Sequence, residues 1–169
     1  GSLGVPRGGN RNTDYGGVVR GNGLLGISRH AKIRDATDGT SSTIMVAEQS
    51  AEVNIDGTFR NVSSNYYGGW SGQAGRQATD KAGRPHWGAG TTCLRYPINH
   101  GAGKQVVARS SIPGADRAWD FNTIVNSFHT GGIQVGLGDG SIRFISENID
   151  FGTLQKLCSM NDGDTVGEF

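Results

Sequence analysis

The stretch HTGGIQVGLGDGSIRFI, residues 129–145, carries the clearest local instruction about the fold. Within it, apolar residues alternate with glycine or glutamine, a period of two that predicts a strand with one buried face: Ile133, Val135 and Leu137. Asp139-Gly140 then predicts a two-residue type I′ turn, because both central residues of that turn need a positive φ. Residues 141–145 read as the returning strand, so the stretch predicts an antiparallel hairpin.

A two-residue turn also fixes which residues face each other across the hairpin. It predicts Leu137 opposite Ile142 and Val135 opposite Phe144. In that register the apolar residues of both strands lie on one face, as a half-buried antiparallel pair requires.

The composition indicates a turn-rich β domain. The chain has 169 residues, 29 of them glycine, and a formal net charge of +1. We interpret residues 1–169 as a single globular domain, since this length suffices for one core. The near-zero charge argues against nucleic acid or an anionic membrane as a partner. No apolar stretch approaches the ~20 residues of a membrane helix.

Upstream of the hairpin, residues 1–30 read as an irregular lead-in. Asp38-Gly39-Thr40-Ser41 predicts a turn, and the β-branched run of residues 43–48 predicts a strand with both faces largely covered. Asp56-Gly57 predicts a second hairpin between residues 53–55 and 58–60.

Downstream of the hairpin, residues 148–160 predict a short amphipathic helix. Asn148 or Asp150 can cap its start. The apolar residues with helical spacing are Phe151, Leu154, Leu157 and Cys158.

Three separated blocks carry a family resemblance. The first contains D-G-T-S-S-T-I-M-V-A-E at residues 38–48, the second is R-Y-P-I-N at residues 95–99, and the third begins at Ser127. The third block matches a His-X9-Asp-Gly signature at Ser127, His129, Gly131, Gly132, Asp139, Gly140, Ser141, Arg143 and Phe144. Together they resemble a bacterial prepilin-like, type II secretion pseudopilin-like family. The family usually has Pro at the position of Thr130 and Asn at that of Ser42.

The resemblance implies an α+β, mainly antiparallel β, pilin-like globular domain. It also implies a missing N-terminal helix that packs on the sheet and would be the sole membrane attachment. The expected function is a non-enzymatic structural or interaction subunit of a type II secretion or pilus-like assembly. Its partners would be pilin-like subunits or secreted cargo. Its location would be the periplasmic face of the envelope, anchored in the inner membrane.

The signature residues invite a metal or acid–base interpretation, which strand geometry opposes. Ten residues of extended strand span roughly 33 Å, so His129 and Asp139 cannot meet within one hairpin. We interpret Asp139 and Gly140 as turn residues. His129 is expected to hydrogen-bond the strand-to-helix corner near Asp150. No nucleophile elbow, zinc-protease motif, P-loop or dinucleotide fingerprint is present.

Two further candidates come from side-chain chemistry. Asp162 and Asp164 offer clustered oxygens of the kind Ca²⁺ prefers, without an EF-hand pattern; a solvated loop is the alternative. No other cofactor is expected. Cys93 and Cys158 either form a disulfide or remain separate thiols.

Aromatic residues in Gly-rich or polar segments give a rival function from another class. Exposed together, they could stack on sugar rings, which would make the chain an envelope polysaccharide-binding module. The alternative is that they fill a core that glycine leaves underpacked. The residues are Tyr66, Tyr67, Trp70 and Trp87.

Overall fold

A computed structural model describes residues 11–13, 17–19, 22–25, 30–49, 52–55, 58–61, 93–100 and 124–169. The strands are β1 (Arg11–Thr13), β2 (Gly17–Val19), β3 (Ile44–Ala47), β4 (Glu52–Ile55), β5 (Thr58–Asn61), β6 (Gly132–Leu137) and β7 (Ile142–Ser146). One helix, α1, spans Phe151–Leu157, and 3₁₀ turns span Ile33–Asp35 and Thr40–Ser42. Every strand pair described is antiparallel, which confirms a mainly antiparallel α+β fold. Across these ranges no helix is long and apolar enough to cross a membrane.

The core lies on one face of a three-stranded sheet ordered β3-β6-β7. The central strand β6 supplies three of its residues, as the period-two pattern predicts, and α1 covers them. Strand β3 is largely covered, as expected, since Ile44 is buried and the other three residues are partly buried. The cluster comprises Ile44, Leu94, Ile98, Val125, Ile133, Val135, Leu137, Ile145, Leu154, Leu157 and Cys158.

The β6–β7 hairpin is present, but its turn and register differ from the expectation. Gly140 N–H donates to the Leu137 carbonyl (3.0 Å), and Leu137 N–H donates to the Ser141 carbonyl (2.9 Å). The loop therefore holds residues 138–140. Gly140 has φ +88° and Asp139 has no positive φ, which excludes a type I′ turn. This is the loop class in which a turn is followed by one left-handed residue.

The extra loop residue shifts the register by one, which exchanges the two faces on which the side chains of β7 lie. Val135 lies opposite Arg143 and Gly136 opposite Ile142, instead of the expected pairs. Ile145 is consequently the buried residue of β7, whereas Ile142 is 69% exposed and Phe144 47% exposed.

The second face of the sheet is therefore partly apolar, and we name it the outer face. It carries Val46, Gln134, Ile142 and Phe144 above Gly132 and Gly136. A Cβ on Gly136 would lie 2.8 Å from Val46 Cγ2 and 3.6 Å from Ile142 Cδ1. A Cβ on Gly132 would lie 2.7 Å from Phe144 Cζ. The two glycines leave room for the larger side chains on the neighbouring strands.

Helix α1 is shorter than the expected 148–160, at residues 151–157. Asp150 caps it by accepting hydrogen bonds from Thr153 N–H (2.8 Å) and Thr153 Oγ1 (3.1 Å). These bonds to Thr153 lower the pKa of Asp150. A helix this short is not stable alone in water, so its buried Leu154 and Leu157 hold it on the sheet.

The lead-in contains more regular structure than expected, because β1 and β2 pair as a hairpin. Further along, Met160 N–H donates to the Asn22 carbonyl (3.0 Å), which ties this region to the end of the chain. The expected second hairpin is confirmed: Ile55 lies opposite Thr58, leaving two residues between β4 and β5.

Candidate functional site

The three sequence blocks converge at one corner of the sheet, beside the start of β6. We name Glu48, Asn99, Ser127, His129 and Glu147 the motif corner. Glu48 ends the first block, Asn99 ends the second, and Ser127 and His129 open the third. Residues far apart in sequence are thus joined by hydrogen bonds and by one close contact between a histidine and a carboxylate.

Glu48 closes the end of the β3–β6 ladder. Its N–H donates to the Gln134 carbonyl (3.0 Å), and its Oε2 accepts the Gln134 N–H (3.0 Å). Its Oε1 lies 3.2 Å from His129 Nε2, with the two side chains 33% and 59% exposed. One carboxylate therefore continues the ladder beyond β3 and holds the signature histidine.

His129 does not occupy its expected place. The predicted hydrogen bond to the strand-to-helix corner near Asp150 is wrong, because the ring pairs with Glu48. Asp150 is used instead to cap α1. The loop before β6 turns the histidine toward β3, where Ser127 Oγ accepts the His129 N–H (3.0 Å).

Asn99 holds three segments together. Its backbone has φ 54°, the left-handed region that asparagine tolerates better than most residues. Its N–H donates to the Val125 carbonyl (3.0 Å), and its Oδ1 accepts the Ser127 N–H (3.0 Å). Its Nδ2 donates to Glu147 Oε2 (2.7 Å), just past β7.

Replacing Asn99 by alanine is expected to destabilise the protein by about 2–3 kcal/mol. The change removes two side-chain hydrogen bonds, at about 1 kcal/mol each, and places a Cβ-bearing residue without a local polar group at positive φ. Asn99→Gly removes the same bonds without the backbone strain and is expected to cost about 1 kcal/mol less. Urea unfolding of both variants measures the difference. Equal losses of unfolding free energy would show that the positive φ of residue 99 adds no strain in Asn99→Ala.

Ser127 has a structural role at the start of β6. Its Oγ donates to the Gly132 carbonyl (2.6 Å) and accepts the His129 N–H, and the residue is buried. The hydroxyl is thus directed at the backbone where β6 begins, while the imidazole is directed at Glu48. The arrangement orders the entry to the central strand.

Asp139, at the other end of the hairpin, binds its own turn. Its Oδ1 accepts the N–H (2.9 Å) and the Oγ (2.7 Å) of Ser141. These hydrogen bonds lower the pKa of Asp139. His129 and Asp139 therefore interact with different partners at opposite ends of β6, and Gly140 supplies the positive φ of the loop.

A second polar cluster joins the first block to the chain end, and sequence reasoning missed it. The buried Asp38 carboxylate accepts the N–H groups of Asp162 (2.7 Å) and Gly163 (3.0 Å). Gly163 has φ +83°, which helps successive N–H groups converge on one anion. The sequence assigns Asp38 only to a turn, since nothing local connects it with residues 162–163.

Asp162 and Asp38 form a close pair of carboxyl groups. Partial burial raises the pKa of Asp162, and contact with Asp38 raises it further, against the opposing hydrogen bond from Asp164 N–H. A carboxyl whose pKa is raised by folding stabilises the protein below its unfolded pKa. That contribution is lost as the pH rises through the folded pKa.

Asp162→Asn is accordingly expected to stabilise the protein at neutral pH, by about 1 kcal/mol. The amide removes the repulsion, can donate to Asp38 and keeps an acceptor for Asp164 N–H. The gain should shrink as the pH falls toward the ordinary aspartate pKa of about 3.9. Thermal melts at pH 7 and pH 4 test this. The control is Asp164→Asn, which replaces a carboxylate 3.7 Å from Lys156 Nζ at the surface. An equal gain in stability in this control would show that the effect does not come from the Asp38–Asp162 pair.

The calcium candidates have partners within the chain. Asp162 Oδ1 accepts the Asp164 N–H (2.9 Å), and Asp164 forms the surface ion pair with Lys156. Among the residues placed by the structure, no group of three or more His, Cys, Asp or Glu side chains could hold a metal ion. Calcium binding at Asp162 and Asp164 stays a prediction.

No disulfide joins the two cysteines, and both are buried. Cys158 is fully buried at the end of α1, and this burial raises its pKa. Of the two alternatives left open by the sequence, the structure has the separate thiols.

The aromatic candidates for sugar or partner binding, Tyr66, Tyr67, Trp70 and Trp87, lie outside the described residues. The polysaccharide-binding alternative stays a prediction that rests on the sequence. Saturable fluorescence quenching by polysaccharide, lost on substitution of Trp70 or Trp87, would support it.

Comparison with known proteins identifies a family. Residues 2–152 match the family described as "Protein of unknown function (DUF1559)", which is associated with prepilin- and pseudopilin-like proteins. No curated protein and no solved structure matches the chain. The matched region contains all three blocks and the whole motif corner. The chain therefore belongs to the DUF1559 family.

Proposed function

We propose that this chain is the globular part of a prepilin-like subunit in a type II secretion or pilus-like assembly at the bacterial envelope. It acts by interaction rather than catalysis, presenting its surface to other pilin-like subunits or to cargo. The observation that carries the proposal is membership of a family associated with prepilin- and pseudopilin-like proteins.

The use of the motif residues supports an architectural role. Glu48 and Ser127 bind backbone groups of β6, Asn99 bridges three segments, and Asp139 orders its own loop. These contacts fix the shape of the sheet and its connections. A subunit that works by presenting a surface depends on such contacts, because its partners recognise the shape.

The outer face supports the position proposed for an N-terminal helix. Val46, Ile142 and Phe144 provide apolar side chains. Gly132 and Gly136 have no side chain, so no β6 side chain projects from the outer face at these two positions. A helix with an apolar stripe can pack on such a surface and remove it from water. In the proposed full-length subunit this helix also anchors the protein in the inner membrane, with the domain on the periplasmic side.

The test is processing of the full-length gene product. We expect it to begin with a prepilin leader followed by an apolar helix, and the leader to be removed when a prepilin peptidase is co-expressed. Mass spectrometry of the membrane fraction reads the cleavage directly. A photo-crosslinking residue at Ile142 should then capture the subunit's own helix, whereas one at Lys156 on α1 should not. A start without a leader, or a full-length product that stays uncleaved, would overturn the proposal.

A further inference from the structure

Within the part of the chain that the structure describes, strand β7 has an open edge. Two hydrogen bonds to β6 and the residue before it flank β7 on either side. Leu137 N–H donates to the Ser141 carbonyl, and Glu147 N–H donates to the Gly131 carbonyl (2.8 Å). Since such bonds alternate along an antiparallel pair, Arg143 and Ile145 also face β6, and residues 142, 144 and 146 face away. Of their backbone groups, only the Ser146 carbonyl has a partner within the described chain, Ile149 N–H (3.1 Å).

The side chains beside this edge are apolar and exposed. Ile142 is 69% exposed and Phe144 47% exposed, and both lie on the outer face. The strand contains no proline, and its one charged residue, Arg143, has its guanidinium carbon 5.0 Å from the centre of the Phe169 ring. Proline and projecting charges are common means by which proteins prevent edge strands from pairing. Apart from the Ser146 carbonyl, the outward backbone groups of β7 have no partner among the described residues, and they adjoin apolar side chains. This combination suits the addition of an extended strand.

We propose that β7 pairs antiparallel with β7 of a second copy of this chain, about a twofold axis at Phe144. The two sheets then form one continuous sheet with the β7 strands at its centre. The pairing is independent of the proposed function, since it needs only the 169-residue chain.

The sequence of β7 is self-complementary in this register. Phe144 lies opposite Phe144 of the second copy, and both of its outward backbone groups are used in reciprocal hydrogen bonds. The two rings then form a cross-strand aromatic pair. Ile142 lies opposite Ser146 of the second copy. A twofold interface requires this kind of match, because the same patch serves both sides.

This register brings together both attractive and repulsive charge pairs. Arg143 becomes the diagonal neighbour of Glu147 in the second copy, on the face opposite the phenylalanine pair. Diagonal neighbours are about 7–8 Å apart in a sheet, within reach of long side chains. Arg143 is equally diagonal to Arg143 of the second copy, so repulsion between these two cations offsets part of the attraction to Glu147. The Glu147 carboxylate also keeps its hydrogen bond from Asn99 of its own chain.

The outer face and the edge can be occupied together. The outward backbone groups of β7 lie in the plane of the sheet, whereas a packed helix would lie above that plane. An interface of one strand pair is small, in the class below about 1,200 Å² of buried surface, so we expect association in the micromolar range.

Sedimentation velocity over a series of concentrations measures the association. The parent chain should pass from monomer to dimer as its concentration rises. Phe144→Pro removes one outward N–H and leaves the bonds to β6, a position where edge strands tolerate proline. It should weaken association at least about tenfold, the effect of about 1.4 kcal/mol. Ile33→Lys, which changes an isoleucine that is 79% exposed on a 3₁₀ turn, is the control and should associate like the parent.

Opposite charges at the axis test the symmetry itself. Phe144→Lys and Phe144→Glu should each be monomeric, since like charges would then lie directly opposite each other. An equimolar mixture should form a heterodimer, and the effect should weaken at high salt. Circular dichroism and thermal melts of each variant verify that the fold is retained.

Hydrogen exchange gives a readout that does not depend on substitutions. The amides of Ile142, Phe144 and Ser146 should exchange fast in dilute protein and become protected at high concentration. Those of Arg143 and Ile145 should be protected throughout. A parent that stays monomeric at millimolar concentration, a mixture of charge variants that stays monomeric, or protection that does not change with concentration would each overturn the proposal.

Discussion

Replacing Gly132 by alanine is expected to destabilise the protein by about 3 kcal/mol, which lowers the melting temperature of a chain this size by roughly 6–12 °C. A Cβ on Gly132 would lie 2.1 Å from the Ile145 carbonyl oxygen and 2.9 Å from its carbonyl carbon. Both are backbone atoms of β7, so no side-chain rotation relieves the contact. The two strands must separate where β6 begins, and the Ser127 bond to the Gly132 carbonyl is disturbed at the same point.

Gly167→Ala is the matched control, since a Cβ there would meet no atom within 4 Å. We expect its melting temperature to match that of the parent within about 1 °C. A second variant, Gly132→Ala with Phe144→Ala, separates the two sources of the clash, because the Phe144 ring also lies 2.7 Å from the added Cβ. The double variant should stay destabilised. Full recovery would show that the ring, rather than the β7 backbone, excludes a side chain at this position.

Leu157→Ala is expected to cost about 3–4 kcal/mol, measured by urea unfolding. Leu157 is 0% exposed and belongs to the core cluster that joins α1 to the sheet. The seven-residue helix has little stability of its own, so losing this contact also loosens the residues that come directly after the helix. Amide exchange should therefore increase at Met160, whose N–H donates to the Asn22 carbonyl.

The neighbouring Lys156→Ala variant keeps the helix and removes only an exposed side chain. Its ion pair with Asp164 spans 3.7 Å at the surface, where such pairs contribute about 0–1 kcal/mol. We expect a change within about 0.5 kcal/mol. Comparable losses of unfolding free energy in Leu157→Ala and Lys156→Ala would mean that the buried face of α1 does not hold the helix on the sheet.

The two Asp-Gly dipeptides show how far local sequence decides the structure. Strands β4 and β5 pair in the register expected for a two-residue connection, with Ile55 opposite Thr58. Between β6 and β7 the same dipeptide belongs to a longer loop. Gly138 packs against Leu24 and donates to the Thr43 carbonyl (2.9 Å). The choice of turn thus depends on contacts with residues about 100 positions away, which no local signal contains.

The elements themselves are easier to predict than their partners. Alternation locates β6 and β7, and helical spacing with a capping aspartate locates α1. The Glu48–His129 pair is unpredictable for a different reason, because a strand end and a loop meet only through tertiary folding. From sequence Glu48 reads as a solvated strand terminus, while its carboxylate binds Gln134 N–H and His129. Hydrophobic periodicity identifies strands and faces, but it contains no information about which polar termini meet.

The bonds from Asp38 to Asp162 and Gly163 have a consequence for the order of folding. They join residues 124 and 125 positions apart, so the carboxylate has no partner among these N–H groups until nearly the whole chain is available. The β6–β7 hairpin, by contrast, can form as soon as its own residues are present. During vectorial synthesis or export, these hydrogen bonds to Asp38 are therefore among the last contacts to form, and non-local contacts of this kind slow folding. A chain that ends at Met160 should still form the hairpin, but its Asp38 carboxylate would lack the N–H donors of residues 162 and 163. We expect such a chain to be more readily degraded by proteases.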